Sequence, residues 1–460
     1  MSMGKRREKQ RSLWCDAGSL AQSPGHPFYE KLSRLLLGEG FDSFVEEQCQ
    51  TFFSEPCGRP SLPPGTYFRL LLIGYFEGIS SDRGIAWRVA DSITLRQFLG
   101  YELNESTPNH STLSRTRRLL DVETHEAVFD WVATVLARKG LVRGRTLGID
   151  GTTLEANAAM RSIVRRDTGE GYVEYLKGLA KEAGLDEPTR EELARFDKKR
   201  KSKRTSNKDW ENPHDPDSKV TKMKDGRTHL AYKAEHAVDM ETGAIVGVTV
   251  QGADQGDTTT LGETLDEVSK VLESVIDDPD AASQLSDELF TELVADKGYH
   301  SNSILTQRAE AGMRTYICEP DRGRRKWKAK SKEQKVVYGN RRRIRGDRGR
   351  RLLRSRSEKL ERSFAHCYTT GGLRRVHVRG MENVRKRLLI HTAAFNLGLV
   401  LRQQFGFGTP RGFQGLFFRL LAPWMAFQGL SRQFWAVLSA QGAFLRPGPQ
   451  MVHHAMIGMG

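Results

Sequence analysis

Cysteine is scarce and unpatterned in this 460-residue chain: five residues, at 15, 49, 57, 318 and 367, none in CxxC spacing. An odd number without metal-ligand spacing excludes a zinc knuckle and a disulfide framework, and predicts reduced thiols in a cytoplasmic protein. Long hydrophobic runs are missing too. The stretch LLAPWMAFQGL at 420–430 reaches a charge after about a dozen residues, short of the ~20 that a membrane-spanning helix needs. The basic opening MSMGKRREKQRSLW leads into no apolar signal segment. No internal repeat is found. A polar pair near the end, His453-His454, has no companion ligands and predicts no metal site.

Acidic charge is the other shortage, with 57 Asp and Glu against 72 Lys and Arg. The deficit is local. Residues 322–356, RGRRKWKAKSKEQKVVYGNRRRIRGDRGRRLLRSR, hold 17 of the basic residues and two of the acidic ones, so the whole formal excess of +15 sits in one segment. Such a block points to a polyanion partner, nucleic acid before an anionic membrane surface. Trp327 and Tyr338 inside it can stack on bases while its arginines meet phosphates. The plain alternative is a solvated loop.

What is present divides the chain. Residues 1–28 read as a basic tail. Residues 29–140 carry apolar positions at helical spacing, as in TYFRLLLIGYFEGI and THEAVFDWVATVLARKG, broken by Pro and Gly. Within them, STPNHSTLSRTRRLL at 106–120 reads as a capped helix whose Arg115, Arg117 and Arg118 suit a DNA backbone; a basic last turn answering the helix dipole explains them equally. From 141 to 402 the pattern becomes mixed. A strand at 146–150 is followed by a polar stretch at 157–227, a hairpin over 229–252, a helix near 258–275, strands at 292–300 and 314–318, and helices at about 350–366 and 381–401. That order predicts an α/β domain, a mixed sheet flanked by helices, after an all-α region. Residues 403–460 form a tail rich in Phe, Trp and Gly.

Two strands each deliver an aspartate where their apolar alternation stops: Asp150 in TLGID and Asp296 in ELVAD. Carboxylates at strand ends of an α/β sheet suit Mg²⁺ or Mn²⁺. Two such ions serve phosphodiester chemistry, which asks for a third acid beside the basic surface. Glu358 and Glu361 in RLLRSRSEKLERSFAH are the candidates. At 100° per residue Leu353, Leu360 and Phe364 share a stripe, Glu361 lies on its flank at about 80°, and Glu358 at about 140° faces solvent. Glu361 is the choice. Surface ion pairing explains either glutamate taken alone. His236 reads as a core or edge residue, and Asp254 and Asp257 as turn residues.

The blocks IDGTTLEAN, HLAYKAEHAVDMETG with VQGADQGDTTT, VADKGYHS, and ERSFAH followed by GGLRRVHVRGMENVRKRLLIHTAAFNLG together resemble the DDE transposases of bacterial insertion sequences, over about 60–400. The resemblance implies a ribonuclease H-like fold with an insertion, here 157–227, between the first two acids. It implies that Asp150, Asp296 and Glu361 are catalytic and bind two divalent ions. The family's Tyr-x2-Arg-x3-Glu-x6-Lys spacing is met only in its middle, by Arg354 and Glu358, with Arg351 and Ala365 at the flanking places, so Glu358 stays open beside Glu361. The expected activity is cleavage at terminal inverted repeats and strand transfer into target DNA, by a chain that is at least dimeric on DNA. Lys297, Arg354, Arg356 and Arg362, which flank the acids, are expected to meet phosphates, with salt-dependent binding. Two other readings are an inactive DNA-binding repressor of the same descent and an actin-like or sugar-kinase-fold ATPase. The latter rests on the IDGT turn alone, with no second Gly-rich phosphate turn to support it.

Overall fold

The computed structural model of the chain describes residues 3–5, 26–53, 61–200, 206–223, 226–321, 323 and 325–412. The chain divides into two compact units, Met1–Gly408 and Thr409–Gly460; of the second, residues 409–412 are described. Most of the basic N-terminal tail, nearly all of the 403–460 tail with His453-His454, and Arg322 and Arg324 lie outside the described residues.

The helical expectation for the first part holds. In order come α1 (Pro27–Gly38), α2 (Phe41–Cys49), α3 (Pro64–Glu77), α4 (Asp82–Ala90), α5 (Ile93–Leu99), α6 (His110–Leu119) and α7 (Val122–Arg138). Their boundaries are written in local chemistry. Asn109 caps α6 by accepting from Thr112 N at 3.0 Å, and Asp121 caps α7 by accepting from Thr124 N at 2.8 Å. Pro64 opens α3, and Gly78 at φ 69° closes it, a conformation that only glycine adopts cheaply. Almost every residue of α3 is buried, as expected of a helix apolar on all sides.

The remainder of this unit is built on one sheet. Its strands are β1 (Thr146–Glu155), then β2 (Val164–Arg165), β3 (Trp210–Glu211), β4 (Lys219–Lys222), β5 (Thr228–Asp239), β6 (Ile245–Gly252), β7 (Glu292–Ala295) and β8 (Arg314–Ile317). The main path is β4-β5-β1-β7-β8, with β6 also on β5, while β2 and β3 pair separately. β1, β5 and β6 run antiparallel; β7 and β8 are parallel to β1. A mixed sheet with helices on its faces is the ribonuclease H-like arrangement that the sequence led us to expect.

The flanking helices are α8 (Tyr172–Glu182), α9 (Arg190–Lys199), α10 (Asp257–Ile276), α11 (Pro279–Ala282), α12 (Asn302–Glu310), α13 (Ser331–Arg345), α14 (Asp347–Phe364) and α15 (Met381–Phe405). Side chains alternate along strands, so neighbours in β5 face different helices. Lys233 and Glu235 bond to Thr260 on α10, whereas His236 bonds to Ser363 on α14. Two of the strand edges, those of β6 and β8, are each closed by an asparagine. Asn396 of α15 accepts from Ile245 N at 2.9 Å and donates to Ile245 O at 2.8 Å on β6. Asn340 of α13 does the same for Ile317 of β8, at 3.2 and 2.8 Å. Each occupies backbone groups that another strand would otherwise seek.

α15 joins the two halves of the unit. It is buried on every side, and its polar residues are used on backbone carbonyls: Lys386 donates to Arg117 O, Arg387 to Ile79 O and Ser80 O. Its N-terminus is capped from the insertion, Asp217 accepting from Met381 N at 2.8 Å and Asp215 from Gly380 N at 3.0 Å.

Four expectations need correction. β1 does not stop at Asp150; it runs on to Glu155 because β5 keeps pairing with it after β7 has stopped. The 157–227 insertion is more than a polar stretch. It carries α8 and α9 around Leu176, Ala180 and Leu193, and it returns β4 to the main sheet. The basic segment is mainly helical, as α13 and the start of α14, because Val337, Asn340 and Ile344 at helical spacing supply its docking face. A short helix, α12, links β7 to β8. No helix among the described residues is long and apolar enough to cross a membrane.

Glu292, at the start of β7, ties the sheet to α14. It accepts from Thr146 on β1 at 2.7 Å, from Tyr316 on β8 at 3.0 Å, and from Arg348 Nε at 2.8 Å. Burial pushes its carboxyl up, but the bonds from Arg348, Thr146 and Tyr316 outweigh that and hold it at about 2. A depressed acid contributes stability above its ordinary value and loses it as the pH falls through the folded value. Glu292→Gln should therefore cost about 1–3 kcal/mol at neutral pH. Denaturant unfolding at a series of pH values should show the gap to wild type closing between 4.5 and about 2; a gap that stays constant over that range would contradict the assignment.

Candidate active site

The register of β1 against β7 decides where the acids meet. Thr146, Leu147, Gly148 and Ile149 pair with Glu292, Leu293, Val294 and Ala295. The next residue on each strand is an aspartate, so Asp150 and Asp296 emerge side by side as the parallel ladder ends. Asp150 stands opposite His236 of β5, on the face that α14 covers. Asp296 precedes a single tight turn, Lys297–Tyr299, in which Tyr299 N donates to Asp296 O at 3.1 Å.

Two carboxylates this close require positive charge. Arg356, projecting from α14, supplies it: one guanidinium nitrogen donates to Asp150 Oδ2 at 2.8 Å, and the other lies 3.7 Å from Asp296 Oδ1. Their side-chain exposures are 14% for Arg356, 26% for Asp150 and 49% for Asp296, so the pair is open on the Asp296 side. Burial raises the Asp150 carboxyl above its ordinary value, against the lowering effect of Arg356 and of the Gly151 N–H at 2.9 Å. Arg356 was expected at a phosphate. It lies inward because its place on α14, between Leu353 and Leu360, turns it toward the sheet.

Glu361 is exposed, five residues beyond Arg356 on the same helix. It lines a cleft of about 470 Å³ with Thr152 and Thr153 of β1, His229 of β5 and Phe364. Among the described residues no three His, Cys, Asp or Glu side chains form a group that could hold a metal ion together. The structure thus brings the two aspartates together, while Glu361 lines a cleft whose walls include neither of them. Glu358 faces solvent, as the helix geometry predicts, in an exposed pair with Arg362 at 2.8 Å. The aspartates suit a divalent cation in donor chemistry: hard oxygens, two to the site, already sharing one positive group.

The helix carrying Glu361 is held to the sheet by His236. Ser363 Oγ donates to Leu360 O at 2.8 Å, so His236 Nδ1–H donates to Ser363 Oγ at 3.0 Å, and Nε2 accepts from Tyr368 at 2.5 Å. Burial lowers the imidazole to about 3, which keeps it neutral in this role. Just beyond, Ala365–Thr370 widens into a π-helical turn, a device common at functional sites.

Beneath the aspartates, on the α10 face, lies a polar network that sequence reading missed. Lys233 meets Glu235 and Asp257, each at 2.7 Å, and donates to Thr260 at 3.0 Å. Glu235, fully buried, accepts from Thr260, from Thr264 at 2.6 Å and from Tyr299 at 2.9 Å. Burial and the Glu235 charge push the Tyr299 phenol far above its usual value, so it remains a donor. Gly151 and Gly298, one residue after Asp150 and two after Asp296, lie against this network. A Cβ on Gly151 would approach Lys233 Cε to 3.1 Å, and one on Gly298 would overlap the Asp257 carboxylate. The backbone after each aspartate is thereby seated from below. Asp257, taken as a turn residue, is part of this support. The available signal was in KAEHAVD, where Lys233 and Glu235 alternate onto one face of an otherwise apolar strand.

The remaining basic residues divide by exposure. Lys297, next to Asp296, is exposed, as are Arg354 and Arg362 on α14 and Arg115 and Arg118 on α6. Arg117 is not free for DNA. It is buried against Asp82 at 2.6 Å, since its position faces α4. Trp327 is half-buried with the Arg325 guanidinium 4.4 Å over its ring, and Arg341 lies 4.9 Å over the exposed Tyr338.

Residues 19–119 match the family described as Transposase domain (DUF772), and residues 206–397 match the family described as Transposase DDE domain. Asp296 and Glu361 fall inside the second match, while Asp150 precedes it. No curated protein and no solved structure matches the chain.

Truncating Glu235 tests the support. Glu235→Ala removes the carboxylate acceptor shared by the Thr260, Thr264 and Tyr299 hydroxyls and one of the two carboxylate partners of Lys233. Equilibrium unfolding should register a loss of roughly 3–5 kcal/mol. A variant within about 1 kcal/mol of wild type, the scale of an ordinary surface change, would show that the network carries no structural weight.

Proposed function

The chain belongs to the DDE transposases of insertion sequences, and from that premise we propose that it cleaves at the element's terminal inverted repeats and transfers the freed strand into target DNA. The observation that supports this most directly is the pairing of Asp150 with Asp296 at the end of the β1–β7 ladder, spanned by one cationic side chain. Asp150 and Asp296 are the residues that would hold Mg²⁺ or Mn²⁺, two ions, with Glu361 the third acid. Bound there, the ions supply Lewis-acid activation of the attacking oxygen and neutralise charge on the leaving one.

The chain's own part is to seat and orient. The Lys233–Glu235–Tyr299 network keeps the two aspartates at a fixed separation. His236 fixes the rotation of α14, so that Glu361 stays in the cleft beside Thr152. Lys297 beside Asp296 and Arg354 and Arg362 on α14 present exposed charge to which DNA phosphates would bind. Residues 29–140 would form the DNA-binding region, with Arg115 and Arg118 of α6 outermost, and residues 141–402 the catalytic domain. Two element ends must be joined, so the working assembly would be at least a dimer on double-stranded DNA, in the cytoplasm with the nucleoid.

Asp150→Ala and Asp296→Ala proteins should still retard terminal-repeat DNA on a gel and release no cut strand with Mg²⁺. Glu361→Gln should lose at least about 100-fold in cleavage, in keeping with several kcal/mol of transition-state stabilisation, while Glu358→Gln should cut normally. Wild-type cleavage by Asp150→Ala would end the assignment. The reverse ranking of the two glutamates would move the third acid to Glu358.

A further inference from the structure

We propose that Arg356 is a resident counter-cation, occupying the aspartate pair until a divalent cation displaces it. The inference rests on the reading that Asp150 and Asp296 form the cation site. It goes further in making the site self-compensated, so that loading is a competition between an internal guanidinium and an external ion.

Geometry carries the argument. Arg356 is the residue that bridges the pair, at 2.8 Å to Asp150 Oδ2 and 3.7 Å to Asp296 Oδ1. A guanidinium presents a flat fork of donors and can serve two carboxylates at once; an ammonium acts as a single point charge. Its side chain is mostly buried between α14 and the sheet, so the contact is more than a salt bridge between freely solvated groups. The other Asp150 oxygen already accepts from the Gly151 N–H at 2.9 Å. A cation arriving at Asp150 therefore seeks the oxygen that Arg356 holds. A cation on that oxygen would stand at contact distance from the guanidinium, and the two positive groups would repel each other.

Displacement also leaves Arg356 useful. Lys297, the residue after Asp296, is exposed, so a guanidinium leaving the aspartates enters a basic edge where a phosphate can accept its donors. Before loading, the same contact keeps two adjacent carboxylates from repelling each other and the strand ends from splaying apart.

Mn²⁺ titration of the full-length protein without DNA tests this, read by calorimetry and by the paramagnetic signal of the free ion. Arg356→Gln should bind Mn²⁺ at least about tenfold more tightly than wild type, within the range typical of coupled sites. Without metal it should melt at a lower temperature, and saturating Mn²⁺ should raise its melting temperature by more than it raises that of wild type. Arg356→Lys keeps a charge but cannot span both aspartates, so its affinity should fall between the two; it also serves if Arg356→Gln does not fold. Asp150→Asn is the control. If it abolishes Mn²⁺ binding while neither Arg356 variant tightens it, the counter-cation idea is overturned and the cation site stands. If Asp150→Asn binds Mn²⁺ as wild type does, the pair is not the cation site and both readings fall.

Discussion

Four residue pairs between two parallel strands govern this molecule. The β1–β7 ladder runs from Thr146–Glu292 to Ile149–Ala295 and ends there, and the next residue on each strand is an aspartate. A shift by one residue would turn one aspartate onto the α10 face and separate the acids. The fold protects the register from several sides. Glu292, at the ladder's first pair, binds β1, β8 and α14 together. Gly148 in its middle lets Met240 and Leu360 close over the backbone, where a Cβ would collide with the methionine sulfur.

Bringing like charges together has a cost that the surroundings must offset. On the α14 face the compensation is Arg356, one group for two carboxylates. On the α10 face it is indirect. The Lys233, Glu235 and Asp257 cluster touches neither aspartate, yet it fills the space beneath the glycines that follow them. Buried charge of this kind is a weak source of net stability and a stringent source of position, because each member is satisfied only in one geometry. Support from below, clasp from above and an open side at Asp296 together give the proposed site its form.

The elements with strong periodicity were legible in the sequence. Apolar runs marked α3, α7 and α15, alternation marked the β5–β6 hairpin, and the two aspartates stood out by ending apolar strands. Those that rely on a partner were hidden. α13 has few apolar residues, and its helical form depends on Asn340 docking against β8. The Asp-rich stretch of the insertion reads as a loop, while its function is to cap α15 some 165 residues later. Arg117 and Arg356 read as surface charge because an arginine's sequence neighbours do not reveal whether a carboxylate waits across the fold.

By itself, then, the sequence determined which residues are acids at strand ends, where the positive charge is concentrated and which segments must be helical, since these follow from composition and period along one chain. Which acids become neighbours, which arginine answers them and which face of α14 carries it inward were decided only by tertiary structure. Those relations depend on register and helix rotation, and both are set by contacts between residues distant in the chain.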